Sequence, residues 1–222
     1  MPYCPLAISL CMLVLAVSPA SAEMPVVLAD DFEQGMDRWQ PLEAEGWKIK
    51  QTDDGNVLSQ FDKRSSYKPP HRSPYHIALA KDAVVGDFDL TVRVRSTHPS
   101  YGHRDACLFF GVQDAAHFYY VHLGQKTDAH ANQIFIVNDA ARTKISTATT
   151  DGTPWDDAWH TVRIVRRVAD GTSEVYFDDM LKPAMTAKDT TFAWGQVGVG
   201  SFDDTADWDD VQLRGKTVAR AE

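Results

Sequence analysis

Between Tyr101 and Gln133 the chain gathers side chains suited to proton transfer and to hydrogen bonding with hydroxyl groups. His103, Arg104 and Asp105 follow Tyr101, then Phe118, Tyr119, Tyr120 and His122 share an apolar run, and Gln125, His130, Asn132 and Gln133 come after it. Elimination chemistry needs a base of near-neutral pKa, a proton donor to the leaving oxygen and a group that stabilises an enolate-like intermediate. Here His122 or His103 can be the base and Tyr120 or Tyr119 the donor, while Arg104, Arg93, Gln125, Asn132 or Gln133 can be the stabiliser. The same patch can also bind without turnover. Tyr101, Phe118 and Tyr120 offer rings to stack on sugar faces, and Arg93, Arg95, Asp105, His130 and the amides bond hydroxyls, so the expected partner is an oligo- or polysaccharide.

These side chains must be held by strands. Along His117 to Leu123, two-residue alternation puts Tyr119, Val121 and Leu123 on one face and Phe118, Tyr120 and His122 on the other. The aliphatic set is the better core, which turns Tyr120 and His122 outward; the alternative is that both are hydrogen-bonded core residues. Asp87 to Arg95 alternates in the same way, with Phe88, Leu90, Val92 and Val94 opposite Arg93 and Arg95. The two arginines then lie on a solvated outer face, or join Tyr120 and His122 if their strand belongs to the same sheet. Arg104 and Asp105 can equally be a pair that holds its own loop.

Strands are also expected at Val26 to Asp30, at the hairpin Trp47 to Lys50 and Asn56 to Gln60, and at Ala106 to Val112 and Gln133 to Asn138. Further strands follow at Arg142 to Thr147, Trp159 to Arg167, Ser173 to Asp178, Gln196 to Phe202 and Trp208 to Leu213. Lys63 to Tyr75, rich in Ser, Pro and charge, reads as a long loop able to lie over a binding face. No amphipathic helix of ten residues interrupts the pattern. The fold class expected is all-β, a two-sheet antiparallel β-sandwich of jelly-roll type over residues 23–222 as a single domain.

An apolar run from Leu6 to Val17, followed by Ala20-Ser21-Ala22, reads as a signal peptide over residues 1–22, so a secreted or periplasmic location is expected, with no membrane insertion after cleavage. Cleavage leaves Cys107 as the one cysteine, which rules out an internal disulfide and reads as a buried inert thiol. The net charge of −9 argues against nucleic acid as a partner. No cofactor is required by this chemistry. A structural calcium is a further expectation where acidic residues of the two chain ends meet, with Asp31 and Asp209 as ligands. A monomer is expected.

Trp159-His160-Thr161-Val162-Arg163-Ile164, with Glu174-Val175-Tyr176-Phe177-Asp178-Asp179, Gly195-Gln196-Val197-Gly198-Val199-Gly200 and Asp209-Asp210-Val211-Gln212-Leu213, resembles the late strands of laminin G-like, concanavalin A-like jelly rolls. Gly46-Trp47-Lys48-Ile49, Val57-Leu58, Gly86-Asp87-Phe88-Asp89-Leu90 and Leu108-Phe109-Phe110-Gly111 are similar to secreted bacterial 3-keto-disaccharide hydrolase domains. That resemblance implies cleavage of 3-keto-glycosides, in which the ketone acidifies the neighbouring proton and a base triggers elimination. The laminin G-like resemblance implies a third option, a non-catalytic protein-contact module. Concanavalin A-like hydrolases carry Glu-x-Asp-x-x-Glu on one strand; this chain has no such motif, and Glu174 and Asp178 fit a strand end and its turn.

Overall fold

The structure, a computed structural model, describes residues 24–219. The expected signal peptide lies outside the described residues. In chain order the strands are β1 (Val26–Asp30), β2 (Trp39–Pro41), β3 (Trp47–Thr52), β4 (Gly55–Gln60), β5 (His76–Ser96), β6 (Cys107–Asp114), β7 (His117–His122) and β8 (Gln133–Asn138). They continue as β9 (Thr143–Lys144), β10 (Ser146–Thr149), β11 (His160–Arg167), β12 (Thr172–Phe177), β13 (Met185–Lys188), β14 (Gly195–Ser201) and β15 (Ala206–Thr217). All pairings are antiparallel, and among the described residues no helix interrupts them.

The 21-residue strand β5 is the hinge of the architecture. Its first half pairs with β2 and β14, and its second half pairs with β11 and β15. One layer therefore runs β2-β5-β14-β6-β7-β8-β9, and the other continues from the far half of β5 through β11-β12-β13-β10 on one side and β15 with β1, β4 and β3 on the other. The sequence pattern locates only the second half of β5. Lys81 and Asp82 are exposed inside the strand and break its alternation, so the first half does not read as part of it.

The interior between the layers is built from the expected aliphatic phases. Phe88, Leu90, Val92 and Val94 of β5 meet Leu108 and Phe110 of β6, Tyr119 and Val121 of β7, and Trp208 and Leu213 of β15. A second apolar cluster covers the outer face of the β14-β6-β7-β8 layer: Ile77, Leu79, Cys107, Phe109, Val112, Phe118, Tyr120, Phe135 and Val137, with Leu42 and Tyr67 packed on it. Strands buried on both faces read as near-continuous hydrophobic runs, which is why β6, β7 and β8 do. The β3–β4 hairpin turns at Asp53-Asp54-Gly55, where Gly55 has φ +126°, a conformation open to glycine at little cost.

Candidate functional site

The outer cluster is covered by the irregular segment 61–75, which contains the loop expected at Lys63 to Tyr75. Tyr67 packs down on it, and the Arg72 carbonyl accepts the Arg142 backbone N–H at 3.1 Å. Beneath the cover, β14 turns Gln196, Gly198 and Gly200 outward, because Val197 and Val199 face the interior. Two of these three positions have no side chain, which lets β14 pack closely there against the His76 and Ala78 carbonyls. A Cβ at Gly198 would come within 2.9 Å of the Leu79 side chain, and one at Gly200 within 3.3 Å of the Phe109 ring. A hollow of about 320 Å³ beside Gln196 is lined by Ile77, Leu79, Phe109 and Phe118, by Leu42 and Tyr67, and by Lys81 and Gln113.

From this hollow a row of rings leads along the face. Phe109 lies 6.0 Å from Phe118 and 5.9 Å from Tyr120, and Tyr120 stacks on Phe135 at 5.1 Å. Tyr120 and His122 thus turn away from the aliphatic interior, as the alternation of β7 predicts, yet both are buried, Tyr120 fully within the outer apolar cluster, which is the alternative reading of them as hydrogen-bonded core residues. Arg142, in the short link between β8 and β9, reaches over them. Its Nη1 donates to the Tyr120 hydroxyl at 2.7 Å and stands 3.4 Å from His122 Nδ1. Its guanidinium sits 4.6 Å from the Phe135 ring centre and 4.5 Å from that of Phe202, while Arg72 lies over the same Phe202 ring at 5.4 Å. Among the described residues no carboxylate forms an ion pair with either arginine, in a chain whose net charge is −9.

Under this pair the site is dry. His122 is 5% exposed and stacks flat on Phe202 at 6.0 Å. Burial, followed by the Arg142 charge, pushes its imidazole down to about 3, so it is neutral over the ordinary pH range. Burial also pushes the Tyr120 phenol up, leaving it a protonated donor. Asp105 is 1% exposed; its Oδ2 accepts the Phe202 N–H at 2.8 Å and the Cys107 thiol at 3.4 Å, and lies 3.3 Å from His122 Nε2. Burial and the nearby Asp204 hold the Asp105 carboxyl well above the usual range.

The remaining residues named from sequence divide. Phe118 lines the hollow. Gln133 sits opposite His122 across β7–β8, its amide bonded to the Asp128 carbonyl at 2.8 Å. His103, half-exposed, holds Asp128 at 2.6 Å, and its charge acts on His122. The exposed His130 donates its backbone N–H to the same Asp128. Tyr101 bonds Asp204 at 2.9 Å and borders a separate surface hollow of about 350 Å³ with His98, Lys63 and Arg64.

Several expectations are corrected. Arg93 and Arg95 belong to the second half of β5, in the opposite layer, and flank Trp159 while pairing with Asp209, Asp210 and Asp207. They cannot join Tyr120 and His122. Arg104 points away from the face: it is 2% exposed and bonds Ser96 Oγ, the Ser96 carbonyl and Asp157. It does not pair with Asp105. Asn132 is a buried brace, bonded to Thr127, Thr150 and Thr153, and Gln125 accepts a bond from Ser100. The calcium expectation is not among these corrections: Asp31 comes near enough to Asp209 to repel its charge, and the Arg93 guanidinium lies against Asp209 and Asp210. Sequence reasoning missed Arg142, Arg72, Phe202, Leu42 and Tyr67. The hairpin phase that relates Cys107 and Phe109 to Tyr120 was legible; nothing in sequence ties Arg142 or Phe202 to His122.

The fold and its covered face place the protein among antiparallel jelly-roll β-sandwiches. In particular it is similar to the carbohydrate-binding module CBM66 from Bacillus subtilis, with 20% identity and a TM-score of 0.58 over 81% of this chain and 97% of that one. It is also similar to the cellulose induced protein Cip1, at 15% identity and 0.57 over 87% of this chain and all of that one. Domain 4 of AbnA, an extracellular arabinanase from Geobacillus stearothermophilus seen with arabinotriose, matches at 7% identity and 0.55 over 89% and 96%. No family model matches the chain, and no curated protein matches its sequence. At these identities the likeness establishes the fold.

Proposed function

We propose that the protein binds an acidic oligosaccharide along the outer face of the β14-β6-β7-β8 layer, with Arg142 and Arg72 meeting its carboxylate. The observation that carries this reading is the pair of guanidiniums over Phe202, without carboxylate partners among the described residues, at one end of the row of rings that leads from the hollow. Planar guanidinium groups match carboxylate geometry, and ring stacking beside them suits the apolar faces of sugars. Tyr120, fully buried, accepts the Arg142 hydrogen bond and holds that guanidinium in place. The carbohydrate ligands in the names of structural neighbours support the reading at the level of class, and a secreted or periplasmic location fits it.

Turnover by elimination, including the 3-keto-disaccharide hydrolase chemistry, is the second reading; the carboxylate of Asp105 behind His122 favours it. Against it stands the low basicity of His122, far from the near-neutral value that serves a general base. A glycan array of neutral and uronate-containing oligosaccharides tests the proposal, followed by incubation of each hit and ultraviolet detection of an unsaturated product or assay of released 3-keto sugar. Selective retention of uronate-containing glycans without a new product is the expected result. Retention of neutral glycans alone would remove the role given to Arg142 and Arg72. Product formation abolished by His122→Ala would favour the enzyme.

A further inference from the structure

We infer that Asp105, Cys107 and His122 form a zinc site at the floor of the outer face. Strand geometry creates the set: Cys107 lies directly opposite His122 in the β6–β7 ladder, and Asp105 precedes Cys107 by two residues, so the three side chains converge. One ligand atom from each lies within 4.8 Å of the others, and all three residues are buried.

The distances match the ligand edges around a bound metal. A tetrahedral ion with bonds of about 2.0–2.1 Å to nitrogen and oxygen and about 2.3 Å to sulfur has ligand edges of about 3.3 Å (N–O) and 3.5 Å (S–O). The observed separations are 3.3 Å for His122 Nε2 to Asp105 Oδ2 and 3.4 Å for Cys107 Sγ to the same oxygen. His122 Nε2 nevertheless makes no hydrogen bond, and neither does Asp105 Oδ1; both atoms are buried and unpartnered. Unpaired buried polar atoms are costly, and His122 Nε2, 3.3 Å from Asp105 Oδ2, is one that faces the other two side chains.

The charge balance also suits a dry site. Zinc entering between a thiolate and a carboxylate gives a neutral assembly, with the thiol proton, and any proton on Asp105, released to solvent. Three protein ligands leave the fourth position for water or a ligand oxygen. Coordination through Nε2 would place the imidazole proton on Nδ1, facing the Arg142 Nη1 donor at 3.4 Å, so that the two donors and the cations oppose one another. The inference stands apart from the glycan reading, because none of its measurements involves a sugar.

The test is titration of the chelator-stripped, full-length protein with cobalt(II) and then zinc, read by thiolate-to-cobalt charge-transfer absorption, metal content and melting temperature. One equivalent of cobalt, an absorption band displaced by zinc, and a melting temperature that climbs with free zinc are expected. Cys107→Ser should lose the band while its metal-free form melts near the wild type. His122→Ala should lose at least tenfold in zinc affinity, and Arg142→Ala should bind zinc more tightly. Absence of the band, or its survival in Cys107→Ser, where Cys4 and Cys11 are the thiols left, would overturn the site.

Discussion

Replacing Arg142 by Ala, with Arg95→Ala as its partner experiment, separates the structure from the sequence pattern. Arg95 belongs to the arginine pair that alternation alone offers to the groove; Arg142 has no sequence signal. In the structure the Arg142 guanidinium makes a hydrogen bond to Tyr120 at 2.7 Å, a longer one with His122 Nδ1 at 3.4 Å and two ring contacts, and is half-buried. A charge-assisted hydrogen bond contributes about 1.5–3 kcal/mol, so losing the contact to a ligand carboxylate should weaken binding by about 10- to 150-fold. Stability should change by a comparable amount. The variant loses one hydrogen bond to a buried phenol and two ring contacts of about 0.5–1 kcal/mol each, a drop of about 2 kcal/mol, or about 4–8 °C in Tm for a domain of this size. Arg95→Ala should instead lower stability, by breaking its 2.8 Å pair with the fully buried Asp207, and leave affinity unchanged. Isothermal titration with an acidic oligosaccharide at two salt concentrations, beside thermal melts, reads both effects. Unchanged affinity in Arg142→Ala, or an equal loss in Arg95→Ala, would refute the assignment of the outer face of the β14-β6-β7-β8 layer as the binding surface.

Three other outcomes follow from the same contacts. Tyr119→Phe, on the inner face, leaves the buried Phe192 N–H and the Asp189 carboxylate without the hydroxyl that bonds both, so it should cost about 1–3 kcal/mol in urea unfolding while ligand affinity holds. Arg104→Ala should cost about 2–3 kcal/mol through loss of its bonds to Ser96 and Asp157, with no change in binding or product formation. Asp207 is held below the usual carboxylate range: burial raises its pKa, but the hydrogen bonds from Arg95 and Lys50 outweigh that. With a folded pKa below the unfolded one, its stabilisation is complete above the unfolded value near 3.9 and fades as pH falls through the folded value. The stability gap between wild type and Asp207→Asn, measured by urea unfolding at stepped pH, should therefore be constant above about pH 5 and shrink in acid.

What the sequence determines here is local and periodic. A side chain in a strand points to one of two faces, and the aliphatic phase decides which, so Tyr119 and Tyr120 could be assigned to opposite faces from β7 alone. Composition likewise marked Lys63 to Tyr75 as irregular and long enough to cover a sheet. Layer membership is another matter, because it depends on pairing between distant strands. β5 passes from one layer to the other within a single strand, and that passage sends Arg93 and Arg95 to the far side of the molecule. Arg104 shows the same limit over a shorter distance: its loop is next to the site, but its side chain goes to Ser96. Only the tertiary structure brings Arg142, from a two-strand link, and Phe202, from the end of β14, onto His122. Period two is written residue by residue, whereas the meeting of separate loops over one face is settled by how the whole sandwich closes.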